Sequence, residues 1–347
     1  MEGIMYKKIK LFIVIAIIAS LIIGCSQNGV NDVSTEDKNN QKENIKSEED
    51  TEYGSNNGEE ADNESEPASS YTYVDAAGRE VILENEPVKI VTTYLPLWET
   101  LLMLDVTPIG AGGAENYTAT WDPFEDMDLS EVIDIGSTEV NLELLAELEP
   151  DLILDQAYNL NSVDVENLEK IAPVAVYGPE TKVDWRLSLR EVGKAINKED
   201  KAEEVIKEVD EKLRESREKL EENYNGKTVM MISMMGADKY YCIYRPDLYD
   251  DETGLGLNAP KGFPESENYV QVSMEALVEM NPDYIFVNVF DGDEAIYEEL
   301  SQNTVWKSLK AVKDDHVFRL DGSGHACSAL STVYTVDKIV ETLLAEK

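Results

Sequence analysis

The chain has 347 residues, with 71 acidic against 30 basic side chains and a formal net charge of −41 at pH 7. Such an acidic balance excludes a nucleic-acid partner, whose phosphates need a basic surface, and the length accommodates two domains of ordinary size. The only histidines are His316 and His325, so a metal cage built from several imidazoles is excluded as well.

In chain order, Lys7, Lys8 and Lys10 precede an apolar run from Leu11 to Ile23. Residues 1–24 read as a secretion signal, too short for a comfortable membrane span. The run ends in Ile22-Ile23-Gly24-Cys25, which resembles a bacterial lipobox, with Cys25 becoming the lipid-modified first residue of the mature chain. Two acyl chains on one residue give stable anchoring. Residues 25–70 are rich in Asn, Ser, Glu, Asp and Gly and nearly free of apolar side chains, so they cannot bury enough surface to offset the entropy of ordering. They read as an acidic, extended tether. The expected location is the extracellular face of a cell membrane, of the Gram-positive type.

From Tyr71 the pattern changes. Tyr71 to Leu83 predicts a hairpin turning near Ala77-Gly78. Strands are predicted over Val88–Thr92, Thr107–Ala111, Ile133–Gly136, Leu152–Asp155 and Val174–Tyr177, with helices around Trp98–Leu104, Val165–Ile171 and Arg186–Ile196. Gly110-Ala111-Gly112-Gly113 follows a strand without an evident helix start behind it. Asn197 reads as the cap of a long helix from Glu199 to Asn223, with Gly226 just past its end. Its apolar stripe of Ala202, Val205, Ile206, Val209, Leu213 and Leu220 is narrow, as in a strut lying along two lobes. The alternation then restarts, with strands at Thr228–Ser233, Tyr240–Tyr244, Tyr284–Val289 and Val317–Leu320 and helices near Glu294–Leu300, Val305–Leu309 and Leu330–Ala345. The fold class is therefore α/β: two similar lobes with mostly parallel sheets, over residues 71–197 and 226–347, joined by one spanning helix at 198–225. Open α/β sheets bind ligands beyond the carboxyl ends of their strands, so the cleft between the lobes is the default site.

One stretch occurs twice. Val140 to Leu154 aligns with Val272 to Phe286, identical at seven of fifteen positions. Each copy has an N-cap (Asn141, Ser273), a short helix, Pro-Asp and an apolar strand. Glu143 and Glu275 fill the second helical position of each. They either complement the helix dipole or, as two equivalent exposed carboxylates, grip a two-fold partner.

Aromatic and cationic residues gather at predicted strand ends: Tyr94, Tyr117, Trp121 and Tyr158 in the first lobe, and Tyr240, Tyr241, Tyr244 and Arg245 in the second. Together they describe a cleft for a large flat or polar-aromatic ligand, with Arg245 available for an anionic group. A Ser-His-acid triad using Ser323 or Ser328 with His325 is conceivable on paper, but these residues crowd one loop and no nucleophile-elbow context surrounds them. No acid–base or nucleophile set stands out, so the chain does not read as an enzyme. Cys242 and Cys327 leave a disulfide open, since their spacing decides nothing.

Several ordered matches now converge: Lys89-Ile90-Val91 with Glu99-Thr100-Leu101-Leu102, Asp134-Ile135-Gly136, both repeat copies, Gly256-Leu257-Asn258-Ala259-Pro260, and Trp306 to Lys313. From Tyr71 to its end the chain resembles the substrate-binding lipoproteins of ABC importers for iron–siderophore complexes, the group that includes ferric hydroxamate-binding and cobalamin-binding proteins. The resemblance implies two lobes on one long helix, a ferric siderophore as ligand, no resident cofactor, and a permease with a cytoplasmic ATPase as partner. It implies that Glu143 and Glu275 dock to permease arginines. It matches Trp121 and Tyr158 to aromatic ligand contacts of hydroxamate binders. Two departures put hydroxamate specificity in doubt: Ser137 or Thr138 replaces an arginine, and Gly324, His325 and Ala326 replace aromatic residues. A haem ligand is the alternative, with His325 and one of Met230, Met231, Met234 or Met235 as an axial pair; cobalamin is a third option.

Overall fold

The computed structural model describes residues 70–157, 164–224, 226–265 and 269–345. The expected signal, Cys25, most of the tether and Tyr158 lie outside the described residues. Among those described, no helix is long and apolar enough to cross a membrane.

The first lobe opens with the hairpin β1 (Tyr71–Val74) and β2 (Glu80–Leu83). Then come β3 (Ile90–Thr92), α1 (Leu95–Met103), β4 (Gly110–Ala111), α2 (Ala114–Thr120), β5 (Ile133–Asp134), α3 (Leu142–Glu147), β6 (Leu152–Gln156), α4 (Val165–Leu168), β7 (Val174–Tyr177) and α5 (Trp185–Ala195). Its sheet has the order β5-β4-β3-β6-β7 and is parallel throughout. The spanning helix α6 runs from Glu199 to Asn223. The second lobe contains β8 (Val229–Met234), β9 (Tyr240–Ile243), α7 (Pro246–Tyr249), β10 (Tyr269–Val272), α8 (Met274–Met280), β11 (Tyr284–Val289), α9 (Glu294–Gln302), α10 (Lys310–Lys313), β12 (Val317–Leu320) and α11 (Ala329–Ala345). Its order, β10-β9-β8-β11-β12, matches the first lobe, but β9 runs antiparallel to both of its neighbours.

The repeat occupies equivalent places. β6 and β11 are both fourth in their sheets, each preceded by its short helix. Asn141 Oδ1 accepts from Leu144 N at 3.1 Å, and Ser273 Oγ accepts from Ala276 N at 3.3 Å. Glu149 and Asn281, at matching positions, both take left-handed backbone, with φ of 49° and 40°, and turn the chain into Pro-Asp. The aspartate is repeated for a reason visible here. Asp151 Oδ2 accepts from Val88 N and Lys89 N at 2.9 and 2.8 Å, clamping the entrance to β3. Asp283 Oδ2 accepts from Thr228 N and Thr228 Oγ1 at 2.8 and 3.0 Å, clamping the entrance to β8.

The α6 stripe is buried as read: Ala202, Val205, Ile206, Val209, Leu213 and Leu220 are each at most 4 % exposed. They seat α6 on α5 of one lobe and α11 of the other. Burial of each large member contributes about 1.5–3 kcal/mol, so one apolar core runs through both lobes. Arg186 adds a polar brace. Its guanidinium binds Asp210 of α6 and donates to the carbonyl of Thr253 in the second lobe at 3.2 Å.

Three local readings are corrected. Asn197 has φ 57° and closes α5 instead of capping α6. Helix α2 does begin directly behind Gly113, whose φ is 74°. Its cap comes from another strand: Asp134 accepts from Gly113 N at 3.2 Å and from Glu115 N at 2.9 Å. A borrowed cap leaves no signal in the adjoining sequence. Strand β10 also escapes the pattern, because it is an edge strand whose alternation is broken by Gln271 alone.

A candidate ligand site between the lobes

The carboxyl ends of the strands bring aromatic side chains from both lobes to one seam. Tyr94 follows β3 and is the residue on which α1 begins. Tyr117 lies on α2 and Trp121 at its end, with their rings edge-on at 4.8 Å. From the second lobe come Phe290, directly after β11, and His325, in the turn after β12. His325 stacks on Tyr269 at 4.5 Å and meets Phe290 edge-on at 5.5 Å. Trp121, Phe290 and Ala326 belong to one apolar cluster that crosses between the lobes.

Two glycines permit this closeness. A Cβ on Gly322 would stand 2.9 Å from Trp121 Nε1 and 2.7 Å from Phe290 Cδ1. One on Gly324 would stand 2.1 Å from Asn288 Oδ1. The small residues that replace the aromatics expected in this turn are thus a packing requirement, and Phe290 supplies the ring from the neighbouring strand.

A polar network orients His325. Asn288 Nδ2 donates to Ser233 Oγ at 2.9 Å, and Ser233 Oγ lies 3.0 Å from His325 Nδ1. Ser233 thus links Asn288 to one edge of the imidazole and fixes the orientation of the ring. Burial, aided by the Arg245 charge, lowers the His325 pKa to about 4, so the ring is neutral at ordinary pH. Burial also raises the phenol pKa values of Tyr94 and Tyr117, which keeps both as hydrogen-bond donors. A cation stands beside them: Lys182 Nζ lies 5.1 Å from the centre of the Tyr94 ring. Burial lowers its pKa.

Other expected site residues lie elsewhere. Arg245 is fully buried. Its Nε and Nη2 bind Asp247 at 3.2 and 2.6 Å, Nη1 donates to the Gly324 carbonyl at 3.0 Å, and Nη2 donates to Thr332 Oγ1 at 2.8 Å. A fifth contact, to Thr335 Oγ1 at 3.5 Å, uses its last N–H. Arg245 is therefore a structural tie behind the seam and presents no donor to it. Tyr240 and Tyr244 are displaced by the period of the strand. Ser233 pairs with Tyr241, and Tyr241 with Gln271, so Tyr241 shares the face of the His325 network. Tyr240 points to the opposite face, near Asp238 and Glu299. Tyr244 stacks on Tyr249 at 5.5 Å, past the end of β9 remote from the β8 terminus. Cys242 also points away from Tyr241, whereas Cys327 lies 3.4 Å from the Tyr269 hydroxyl. Both are buried free thiols on opposite faces of the sheet. Met230, Met231 and Met234 are core residues of β8, and Met235 is exposed beyond it, so they pack the sheet. Glu143 and Glu275 are both exposed on the outer ends of their helices.

An open groove of about 580 Å³ also runs between the lobes, past Asp122, Asp291, Glu294, Arg319, Asp321 and Lys338. It flanks the seam without reaching Tyr94, Tyr117 or His325. Four carboxylates against two cations make it poor for an anion, so the aromatic seam is the stronger candidate. Phe290 was legible by the rule that picked Tyr94, a ring at the end of an apolar strand. Lys182 and Tyr269 carry no such signal.

Comparison with known proteins agrees with this architecture. Residues 90–323 match the model of the periplasmic binding protein family. The iron-uptake system-binding protein of Bacillus subtilis is 29 % identical over 249 residues, covering 69 % of this chain and 75 % of that protein. A probable siderophore-binding lipoprotein of the same organism is 29 % identical over 282 residues, covering 76 % and 85 %. Among solved structures, the triscatecholate siderophore binding protein FeuA of Bacillus subtilis, complexed with ferri-bacillibactin, superimposes with a TM-score of 0.65 at 25 % identity, covering 80 % of this chain and 98 % of that one. With a family match over most of its folded part, and with two lobes of matching strand order meeting at one seam, the chain belongs to the periplasmic binding protein family.

Proposed function

We propose that the protein is the receptor of an ABC importer, binding a ferric siderophore between its lobes and delivering it to a permease. The observation that carries this reading is the seam itself. Tyr94, Tyr117, Trp121, Phe290 and His325 bring rings from both lobes to the carboxyl ends of their strands, with Lys182 beside them. Flat chelating groups stack on such rings, and a half-buried lysine favours an anionic complex. The relatives named for iron uptake and siderophore binding support the same ligand class. Trp121 is the reporter for the test. Ferri-bacillibactin, ferric citrate and the Fe3+–Desferal complex are titrated against tryptophan fluorescence. Saturable quenching by an anionic complex, lost in Trp121→Leu and weakened about tenfold in Lys182→Ala, is expected; a charge-assisted contact is worth roughly 1.5–3 kcal/mol. Quenching by none of the three, with binding of haem or cobalamin instead, refutes the reading.

Delivery follows from the repeat. Glu143 and Glu275 stand at equivalent, exposed positions of the two lobes, a pseudo-two-fold pair suited to a permease of two similar subunits. Replacing both by Ala should abolish uptake while ligand binding and melting temperature stay as in the parent protein. Full uptake by that double variant excludes docking through them. Anchoring through Cys25 would hold the receptor at the outer membrane face, near its permease, and the relative named as a lipoprotein supports that location. Cys25→Ala should release the protein or leave an unprocessed precursor; unchanged lipid labelling in that variant rules the anchor out.

A further inference from the structure

Beneath the seam lies a carboxyl group that the binding role does not use. Glu99, on α1 of the first lobe, has no exposed surface. Its Oε1 accepts a short hydrogen bond from Ser331 Oγ on α11 of the second lobe. Its Oε2 is buried without a hydrogen-bond partner. The contact therefore joins the lobes through one oxygen, while the other makes no direct hydrogen bond and has only a weaker interaction with Ser328 to offset its burial.

The charges around it do not favour an ion. From the first lobe it is faced by the phenols of Tyr94 and Tyr117. From the second it is faced by the Cys327 thiol, by Ser328 and Ser331 of α11, by Asp321 and by Arg245. Arg245 is the only cation among them and is already matched by Asp247, while Asp321 adds a second carboxyl. A buried carboxylate that has two hydroxyls but no cation of its own is costly, and the group lowers that cost by keeping its proton.

Resting on the receptor reading above, we propose that Glu99 is a proton-linked positioning residue: uncharged, it lets α1 and α11 close beneath the ligand, and its ionisation loosens that contact and the hold on an anionic chelate. The titration range fits. Burial raises the Glu99 pKa to about 7, opposed by Ser331, Ser328 and Arg245 and reinforced by Asp321. A folded-state pKa above the unfolded value means stability that is full at low pH and lost as pH rises through about 7. An anion bound among Tyr94, Tyr117 and Lys182 adds negative charge on the same side, so binding and proton retention reinforce each other.

The test compares the parent protein with Glu99→Gln, a neutral isostere, between pH 5.5 and 8.5. Two readouts are taken: the melting temperature without ligand, and the affinity for ferri-bacillibactin. The parent should lose melting temperature and bind about tenfold more weakly at the upper end, the equivalent of a one-unit linked pKa shift. Glu99→Gln should flatten both profiles: its affinity matches the parent at pH 5.5 and exceeds it at pH 8.5, while its lead in melting temperature grows up to about pH 7 and then holds. Ser331→Ala, which strips the second oxygen of its partner, should move the parent's loss to higher pH. Identical slopes in the parent and Glu99→Gln overturn the proposal. If ferri-bacillibactin does not bind, the ligand reading is decided by the three-chelate titration above, and the melting profiles alone decide the role of Glu99: flattened they uphold its proton linkage, unchanged they overturn it.

Discussion

Replacing Arg245 should damage the fold first and ligand binding second. The guanidinium is fully buried and places all its N–H groups on Asp247, Gly324, Thr332 and Thr335. In Arg245→Ala the Asp247 carboxylate, itself 4 % exposed, loses its salt-bridge partner in a buried site. Removing one member of a buried pair costs about 3–5 kcal/mol, because the other charge stays behind. For a protein of this size each kcal/mol lowers the melting temperature by roughly 2–4 °C, so a fall on the order of 10 °C is expected. Scanning calorimetry or fluorimetry measures it. Arg245→Met with Asp247→Leu removes both charges together and should recover most of the loss, since an apolar replacement of a buried pair is often near neutral. The coupling between the two sites is then read from the double-mutant cycle. A different outcome would refute the reasoning: an Arg245→Ala protein melting within about 2 °C of the parent but binding ferri-bacillibactin tenfold more weakly would put the guanidinium at the ligand.

Asp151→Ala and Asp283→Ala should each cost about 1–3 kcal/mol, the penalty for leaving strand-entry donors unpaired; the second should cost more, because Lys310 also binds Asp283, and chemical denaturation ranks the two. Gly322→Ala should spare most of the stability yet weaken chelate binding, since the new methyl group must push Trp121 and Phe290 apart at the seam, and tryptophan fluorescence of the ligand-free variant should change with it. His325 is held neutral, with its pKa lowered from 6.5 to about 4. Its contribution is full above pH 6.5 and lost as pH falls toward 4, on the order of 2 kcal/mol once its partial exposure is allowed for. In His325→Gln the melting temperature should fall less between pH 7 and 4 than in the parent; parallel curves would show that the ring titrates normally.

Much of the scaffold was legible because its signals are local. Strands β3, β6, β7, β8, β11 and β12 are apolar runs between turn residues, and α6 declares itself by a stripe at helical spacing. The two copies of one helix–turn–strand unit announced two lobes, and they occupy the same position in two sheets of the same order. Tyr94 was legible at the end of β3 because a strand's end is visible in its own sequence, whereas Trp121 reaches the seam only through α2.

What the sequence by itself could not determine depends on groups far apart along the chain. The start of α2 was hidden because its cap is Asp134, about twenty residues downstream. Tyr240 and Tyr241 are adjacent and chemically identical, and only the pairing of Ser233 with Tyr241 decides which of them shares the His325 face. Arg245 looked like an anion's partner because a lone arginine near a strand end carries no mark of burial; the fold surrounds it with Asp247, Gly324 and α11 and uses up its donors. Glu99 sits in an apolar helical run that reads as ordinary core, and its meaning arises only when α11 of the other lobe places Ser331 against it. Local propensity and periodicity are written within a few residues of each other. Burial, pairing and charge compensation are properties of contacts between lobes, and only the closed tertiary structure assigns them.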